Sequence, residues 1–172
     1  MLKDQIAASL EQAFSRYGFA EPSVTQLKTA CNVSLRTLYK HYPSKEAMIV
    51  AALAYRHRRY LDFLRDGAPT AGTASAMHII HRLELWMQQY APCGCLSLNA
   101  IAAFPDNPEI TQAVHQHKQQ VRQFLGQQCQ QPALATTLFL LHEGISSAWP
   151  ILGSEAITAA QETAVQLLGE QP

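Results

Sequence analysis

The chain has 172 residues, of which 48% are hydrophobic and only 15% are charged, a composition that suits one or two compact units and excludes a disordered chain. No apolar stretch approaches the roughly 18 residues that span a bilayer, and the first residues are polar and helix-forming, so we expect a cytoplasmic protein with no membrane partner. The 13 Lys and Arg residues balance 13 Asp and Glu residues, which at first argues against a nucleic-acid-binding protein.

The charges that cancel over the whole chain are distributed unevenly along it. Residues 1–65 hold ten basic and five acidic residues, a net charge of +5, whereas residues 66–172 hold three basic and eight acidic residues, a net charge of −5. Such asymmetry is typical of a module that binds a polyanion and is joined to a segment with a different role.

The N-terminal sequence predicts a first helix followed by two short ones. Apolar side chains recur at helical spacing at Ile6, Leu10 and Phe14, and Gly18 then ends the helix. The stretch Ser23-Val24-Thr25-Gln26 is a capping-box pattern that begins a short helix. Asn32 suits the turn that follows, and Ser34 caps a second short helix that runs to about His41.

The rest of the chain is predicted to be helical as well. A long helix from 44 to 65 precedes a linker of Gly, Pro and Thr, and further helices follow at about 74–90, 95–104, 108–130, 133–149 and 155–168. Because no segment alternates with period two, we predict an all-α protein of about nine helices. The run Arg56-His57-Arg58-Arg59 is interpreted as a solvated helix face, and Tyr42 as a core residue.

Two short helices joined by a tight turn have the layout of a helix-turn-helix. The run from Ser23 to Met48 also resembles the DNA-binding signature of TetR-type transcriptional regulators (the TetR/AcrR family). The matching positions are Val24, Leu27, Val33, Ser34, Thr37, Leu38, Tyr39, His41, Tyr42, Ser44, Lys45, Glu46 and Met48. The resemblance implies a three-helix DNA-binding domain over residues 1–46, linked by the long helix to a ligand-binding and dimerisation domain over residues 47–172.

Double-stranded operator DNA is therefore the expected partner of the second short helix. The residues predicted to contact the DNA are Thr25, Leu35, Arg36, Thr37, Tyr39, Lys40, His41 and Lys45. Arg36 and Lys40 lie one turn apart and reach guanine acceptors or phosphates. Lys45 lies in the first turn of the next helix, where free amides attract a phosphate. Leu35 and Arg36 depart from the family pattern, so we expect operator specificity there.

Reading an operator with two such units requires a dimer. The helices near the C-terminus carry apolar stripes, and the resemblance also implies a four-helix interface between two copies. The residues predicted to form this homodimer are Leu134, Leu138, Leu141, Ile145, Ile157, Ala160, Ala164 and Leu168.

The helices between these two regions are expected to enclose a pocket for an unidentified small-molecule effector. The candidate lining residues, each with ordinary core packing as its competing interpretation, are His78, Trp86, Asn99, Phe104, His115, His142 and Trp149. The resulting hypothesis is a ligand-responsive repressor that an effector releases from its operator.

The turn Cys93-Gly94-Cys95 leaves three interpretations open. Gly94 is a turn residue with Cys95 buried at the start of a helix, or the pair is a thiol switch in a redox- or electrophile-sensing repressor, or it is half of a metal site. A thiol enzyme that uses Cys95 is a further alternative, but no acid, base or oxyanion signature surrounds it. We therefore predict that the protein is not an enzyme and has no cofactor and no metal. The scattered cysteines do not indicate a disulfide framework.

Overall fold

The computed structural model describes residues 2–70 and 72–169, and these residues are helical wherever they have regular structure. The described part of the chain has nine α-helices and one short 3-10 helix. They are α1 (Leu2–Tyr17), α2 (Val24–Ala30), α3 (Leu35–His41), α4 (Lys45–Arg65), α5 (Gly72–Tyr90), α6 (Leu96–Ala103), α7 (Pro108–Gln128), the 3-10 helix Pro132–Leu134, α8 (Ala135–Leu152) and α9 (Ser154–Gly169). The predicted all-α fold class is confirmed. None of these helices is long and apolar enough to cross a membrane.

Local sequence explains where the helices begin and end. Ser23 and Gln26 form the predicted capping box, and the Ser34 side chain accepts a hydrogen bond from the Thr37 amide. Asn32 has a φ of 50°, the left-handed conformation expected at that turn. Pro150 does not end α8, which continues to Leu152, because proline has a helical φ and removes only one hydrogen bond near the end of the helix.

One compact unit comprises the chain up to Arg59 together with Leu96–His117. Its core is apolar, and the largest side chains that are almost fully enclosed in it are Ile6, Leu10, Phe14, Leu27, Leu38, Met48, Ile49, Leu53 and Ile110. Tyr42 is buried, as predicted, and its hydroxyl donates a hydrogen bond to the Lys3 carbonyl at 3.0 Å. This bond ties the end of α3 to the start of α1.

The second compact unit comprises Tyr60–Cys95 and the chain from Lys118 onward. Within it, α9 packs against both α5 and α8, and a continuous apolar core surrounds these contacts. The chain passes between the two units at three points, inside α4, immediately before α6 and inside α7. The predicted DNA-binding segment, residues 1–46, lies wholly in the first unit, whereas residues 47–172 contribute to both, and the division at residue 46 stays a prediction about function.

The basic run in α4 is not the solvated face that its sequence indicates. Arg56 is only 8% exposed and its guanidinium pairs with the Glu11 carboxylate, which is 2% exposed. Arg59 reaches the second Glu11 oxygen at 3.3 Å, whereas the Arg58 side chain is 60% exposed. The prediction is therefore wrong for Arg56, because Glu11 on α1 supplies a buried counter-charge that spacing within α4 does not reveal.

His57, in the same run, is held against a second imidazole. Its ring stacks on that of His117 with the centroids 4.4 Å apart. Burial, assisted by the charge of His57, lowers the pKa of His117 to about 4, so His117 is neutral at neutral pH.

Breaking the Glu11–Arg56 pair is expected to destabilise the protein strongly. Glu11→Gln removes the buried carboxylate that Arg56 and Arg59 share, and we expect the free energy of unfolding to fall by about 3–5 kcal/mol in urea denaturation. The double variant Glu11→Leu/Arg56→Met should recover most of this loss because it buries no charge at that position. Arg58→Ala, at an exposed position of the same run, should change stability by less than about 0.5 kcal/mol; a loss as large as that of Glu11→Gln would contradict the assignment.

Candidate functional site

The helix-turn-helix of the first unit consists of α2, α3 and the turn between them. The turn is closed by hydrogen bonds from the Cys31 amide to the Leu27 carbonyl at 2.9 Å and from the Val33 amide to the Lys28 carbonyl at 3.3 Å. Leu27 and Leu38, one from each helix, have no exposed surface. Each short helix thus encloses one leucine in the core, and Val24 of α2 packs against the same core, while most of their other side chains are exposed.

The outward face of α3 carries the side chains predicted to contact DNA. Arg36 and Lys40 are exposed, and Leu35 and Tyr39 are 43% and 42% exposed. Leu35 and Tyr39 are four residues apart, and so are Arg36 and Lys40. The members of each pair therefore lie one turn apart on the same side of the helix. The structure therefore places two cations, one phenol and one apolar side chain together on one accessible surface.

Three further residues predicted to contact DNA lie on α2 and α3. The Thr37 hydroxyl lies 2.8 Å from the Ser34 hydroxyl, so Thr37 takes part in the cap of its own helix. His41 is half-buried beside Tyr42, with the ring centroids 6.4 Å apart. Thr25 is exposed in the first turn of α2.

Lys45 has an intramolecular contact that sequence reasoning missed. Its ammonium donates a hydrogen bond to the Ala20 carbonyl at 2.9 Å. Burial lowers the pKa of Lys45, and the charge of Glu46 acts in the opposite direction. Lys45 thus joins the start of α4 to the loop between α1 and α2, a long-range contact that no local pattern indicates.

Residues 6–52 match the family model described as bacterial regulatory proteins of the tetR family. The matched segment runs from α1 into α4 and contains the whole helix-turn-helix. The segment of residues 6–52 belongs to the TetR family. The predicted family is confirmed, and the helix-turn-helix is that of a DNA-binding transcriptional regulator.

Solved structures of TetR regulators share the fold over nearly the whole chain. A TetR-family transcriptional regulator from Streptomyces coelicolor has a TM-score of 0.80 at 22% identity, covering 98% of this chain and 96% of that one. A TetR transcription regulator from Haloarcula marismortui has a TM-score of 0.78 at 17% identity, covering 98% and 96%. The reduced form of NemR from E. coli has a TM-score of 0.71 at 21% identity, covering 98% and 97%. No curated protein matches the sequence significantly.

Of the seven candidate effector residues, one lines a small cavity in the second unit, and the others lie elsewhere among the described residues. The second unit encloses a cavity of about 20 Å³, lined by nine apolar or cysteine side chains and by His142. His142 is the only one of the seven candidates that lines it. Trp86 is buried against the rings of Tyr60, Phe63 and Tyr90, with centroids 4.7–5.4 Å apart. The other candidates lie elsewhere: His78 and Trp149 are half-buried in the second unit, while Asn99 and His115 are exposed and Phe104 is half-buried in the first.

Most of the residues predicted to form the dimer lie in the core of this TetR chain itself. Leu134 and Leu141 are half-buried, and the fully buried ones are Leu138, Ile145, Ile157, Ala160, Ala164 and Leu168. A different set of apolar side chains on α8 and α9 is exposed, with Leu140 at 64%, Ile151 at 86%, Leu152 at 46% and Val165 at 47%. Because α8 is apolar nearly all round, its sequence alone did not indicate which stripe faces the chain's own core.

A chain of hydrogen-bonded polar side chains runs through the second unit. The Lys118 ammonium donates to the Cys95 sulfur at 3.3 Å and to the two Glu143 oxygens at 2.8 and 2.7 Å. Glu143 lies 3.0 Å from His142 Nδ1, and His142 Nε2 is bonded to the Tyr60 hydroxyl. Sequence reasoning named Cys95 and His142 but missed the other members. Glu143 is the one Asp, Glu, Lys or Arg in α8, and that isolation in an apolar helix was the available signal.

Protonation states along this chain follow from its contacts. Burial lowers the pKa of His142 despite the nearby Glu143, so the imidazole is neutral and has one donor and one acceptor nitrogen. Burial acts to raise the pKa of Glu143, but His142 and Lys118 lower it to about 2 overall. A carboxylate only accepts, so His142 Nδ1 donates to Glu143 and Nε2 accepts from Tyr60. Burial acts to lower the pKa of Lys118, but Cys95 and Glu143 raise it overall.

The turn at Gly94 has the geometry that its sequence predicts. Gly94 has a φ of 92°, a conformation that favours glycine, and its amide bonds the Ala91 carbonyl at 2.9 Å. Cys93 is exposed, whereas Cys95 is half-buried and precedes α6. Among the described residues, no group of three or more His, Cys, Asp or Glu side chains is close enough to hold a metal ion.

Removing the cap of α3 is expected to destabilise the DNA-facing helix. Ser34→Ala deletes the acceptor of the Thr37 amide, which lies 3.0 Å away, and should lower the free energy of unfolding by about 1 kcal/mol in urea denaturation. Ser34→Asp keeps an acceptor at this position and should retain the stability of the parent. Equal losses in the two variants would show that the cap does not stabilise α3.

Proposed function

We propose that this TetR-family protein is a homodimeric repressor that binds operator DNA through α3 and releases it when a small-molecule effector binds. The observation that carries the proposal is the exposed face of α3, where Arg36 and Lys40 lie beside Leu35 and Tyr39. A helix of this kind fits the major groove, where each base pair displays a distinct pattern of donors and acceptors.

The residues of this face have separable roles in the proposal. Arg36, near the start of α3, forms a bidentate contact with guanine, and Leu35 contacts a thymine methyl group. Lys40, one turn later, contacts a phosphate and supports affinity for any sequence. Lys45 donates a hydrogen bond to the Ala20 carbonyl in the loop before α2. A substitution of Lys45 would therefore change the fold of this loop as well as DNA binding.

Substitutions on α3 should separate specificity from affinity. In fluorescence anisotropy with a selected operator and an unrelated duplex, Arg36→Ala should reduce the preference for the operator by about 1–3 kcal/mol. Lys40→Ala should weaken binding to both duplexes alike and reduce the slope of log K against log salt by about 1. Arg65→Ala, an exposed cation in the second unit, is the control and should bind like the parent. If both α3 variants also bind like the parent, α3 is not the helix that contacts DNA.

The proposed dimer brings two copies of α3 to successive major grooves, about 34–36 Å apart. Its interface is the exposed stripe of α8, in which Leu140, Gly144, Ser147 and Ile151 recur at helical spacing. A Cβ added at Gly144 would meet no atom within 4 Å of its own chain, so this position leaves room for a partner helix to approach closely. Val165 on α9 extends the same kind of surface.

A charge placed on the α8 stripe should abolish the dimer. Ile151→Asp and Leu140→Asp would each bury an unpaired carboxylate in the interface, and the mass by analytical ultracentrifugation should fall from that of two chains to that of one. Leu98→Asp, at a 41% exposed position of α6, is the matched control and should remain dimeric. A parent chain that sediments as a monomer at micromolar concentration would overturn the proposed assembly.

The proposed effector binds in the second unit. The cavity of about 20 Å³ beside His142 holds roughly one water, so an effector must stabilise a more open arrangement of the surrounding helices. Its lining is apolar except for His142, which favours an apolar molecule with one hydrogen-bonding group. An effector that binds the open arrangement of the helices more tightly than the closed one would couple its binding to release of DNA.

A further inference from the structure

His142, which lines the cavity of the second unit, is held in one tautomer by its neighbours. Its Nδ1 lies 3.0 Å from a Glu143 carboxylate oxygen, and the Lys118 ammonium donates to both oxygens of that carboxylate at 2.8 and 2.7 Å. Burial acts to raise the pKa of Glu143, but His142 and Lys118 lower it to about 2 overall, so the carboxylate only accepts hydrogen bonds. The imidazole proton is therefore on Nδ1, and Nε2 acts only as an acceptor.

The group now bonded to that acceptor is a phenol. The Tyr60 hydroxyl donates to His142 Nε2, and the centroid of the Tyr60 ring lies 5.9 Å from that of the imidazole and 4.9 Å from that of the Trp86 indole. Tyr60 is half-buried, whereas His142 is 6% exposed. The Tyr60 ring can therefore leave its place at a lower cost in buried surface than the imidazole can.

From this arrangement we infer that the effector is an uncharged phenol whose hydroxyl replaces that of Tyr60 on His142 Nε2, and that Lys118 and Glu143 select it by fixing the tautomer of His142. This inference rests on the proposed function, because it names the class of effector that the second unit binds. The Tyr60 side chain is then an internal competitor that occupies the site until the effector displaces it.

Hydrogen bonding at Nε2 excludes the other classes of polar group. A ketone, an ether or an ionised carboxylate has acceptors only, so each would leave Nε2 without a donor inside an apolar site. An ammonium can donate, but the Glu143 carboxylate is already bonded by Lys118 and His142, and a cation buried without a counter-charge is costly. A hydroxyl supplies the required donor and brings no charge.

Space and packing around His142 favour an aromatic ligand. The cavity has a volume of about 20 Å³ and is otherwise lined by apolar or cysteine side chains. That volume holds roughly one water, so the space for a ligand ring comes from the place that the Tyr60 ring leaves. A ring in that place meets the Trp86 indole, and paired aromatic rings attract each other beyond the area they bury.

Displacement of Tyr60 explains how the ligand changes the protein. The bond between Tyr60 and His142 joins α4 to α8 within the second unit. A ligand that binds only when the Tyr60 ring has moved stabilises the arrangement in which this bond is broken. Occupancy of the site therefore acts on the helices whose rearrangement the proposed function requires.

The site is tested by calorimetric titration of the full-length protein with p-cresol and with anisole, which are isomers of which only p-cresol has a hydroxyl donor. We expect p-cresol to bind more tightly than anisole by about tenfold or more, and benzoate and benzylamine to bind no better than anisole. Equal affinities for p-cresol and anisole in the parent overturn the inference without recourse to any variant. The absence of p-cresol binding at millimolar concentration overturns it as well.

The competition between Tyr60 and the ligand is tested with two tyrosine variants. Tyr60→Phe removes the competing hydroxyl, and we expect it to tighten p-cresol binding by about tenfold with little change for anisole. Tyr90→Phe, which removes a hydroxyl from the same aromatic cluster, is the matched control and should bind p-cresol like the parent. Unchanged or weaker binding of p-cresol by Tyr60→Phe would show that the two phenols do not share a site.

The positioning role of Glu143 is measured on the imidazole itself. In nitrogen NMR of the parent at neutral pH, Nδ1 of His142 should carry the proton and Nε2 should not. Glu143→Gln supplies an amide that can donate to Nδ1, so the preference for p-cresol over anisole should fall by about tenfold. Glu162→Gln, at an exposed position of α9, is the matched control and should keep the preference. A proton on Nε2 in the parent overturns the positioning role even if Glu143→Gln does not fold.

Release of DNA is measured separately, by fluorescence anisotropy on a selected operator with and without p-cresol. We expect saturating p-cresol to weaken operator binding by about tenfold or more, and anisole at the same concentration to have a smaller effect. Binding of p-cresol at unchanged operator affinity leaves the site intact and overturns its role as the effector site. Release by another compound, with no binding of p-cresol, overturns this inference and keeps the proposed function. Failure of the protein to bind any selected DNA overturns the proposed function instead.

Discussion

A seven-residue helix is unstable in water by itself, and the helix-turn-helix of this protein is built from two of them. Their stability comes from one enclosed leucine in each, Leu27 and Leu38, and from the serine caps that satisfy the first amides. Because few side chains are committed to the core, most of the others are exposed. The position of the α3 surface thus depends on packing beneath it.

Both compact units also bury charge, and they do so with partners distant in sequence. In the first unit Glu11 on α1 is shared by Arg56 and Arg59 on α4. In the second, Glu143 on α8 is shared by Lys118 on α7 and His142. Removing such groups from water is costly unless each is paired and hydrogen-bonded, so each cluster restricts the helices to one arrangement. The second cluster ends at the Cys95 sulfur, which accepts a hydrogen bond from Lys118.

The surfaces proposed for dimerisation and for effector binding are formed by two different stripes of α8. Residues of α8 that turn inward, such as Leu138 and Ile145, complete the core around a cavity too small for an effector, whereas Leu140 and Ile151 turn outward. One helix thereby presents one stripe to the core of its own chain and another outward.

Local sequence by itself determined the helices, their caps, the left-handed turn at Asn32 and the family signature between Ser23 and Met48, because caps, turns and apolar spacing act over a few residues. The exposed side chains of α3 follow from the same local pattern. Tertiary structure alone decided that Arg56 is buried against Glu11, that Lys45 bonds Ala20, and that Lys118 bonds both Glu143 and Cys95. It also decided which stripe of α8 faces outward. These outcomes depend on contacts between residues far apart in the chain, and periodicity within one helix carries no information about the partner that covers it.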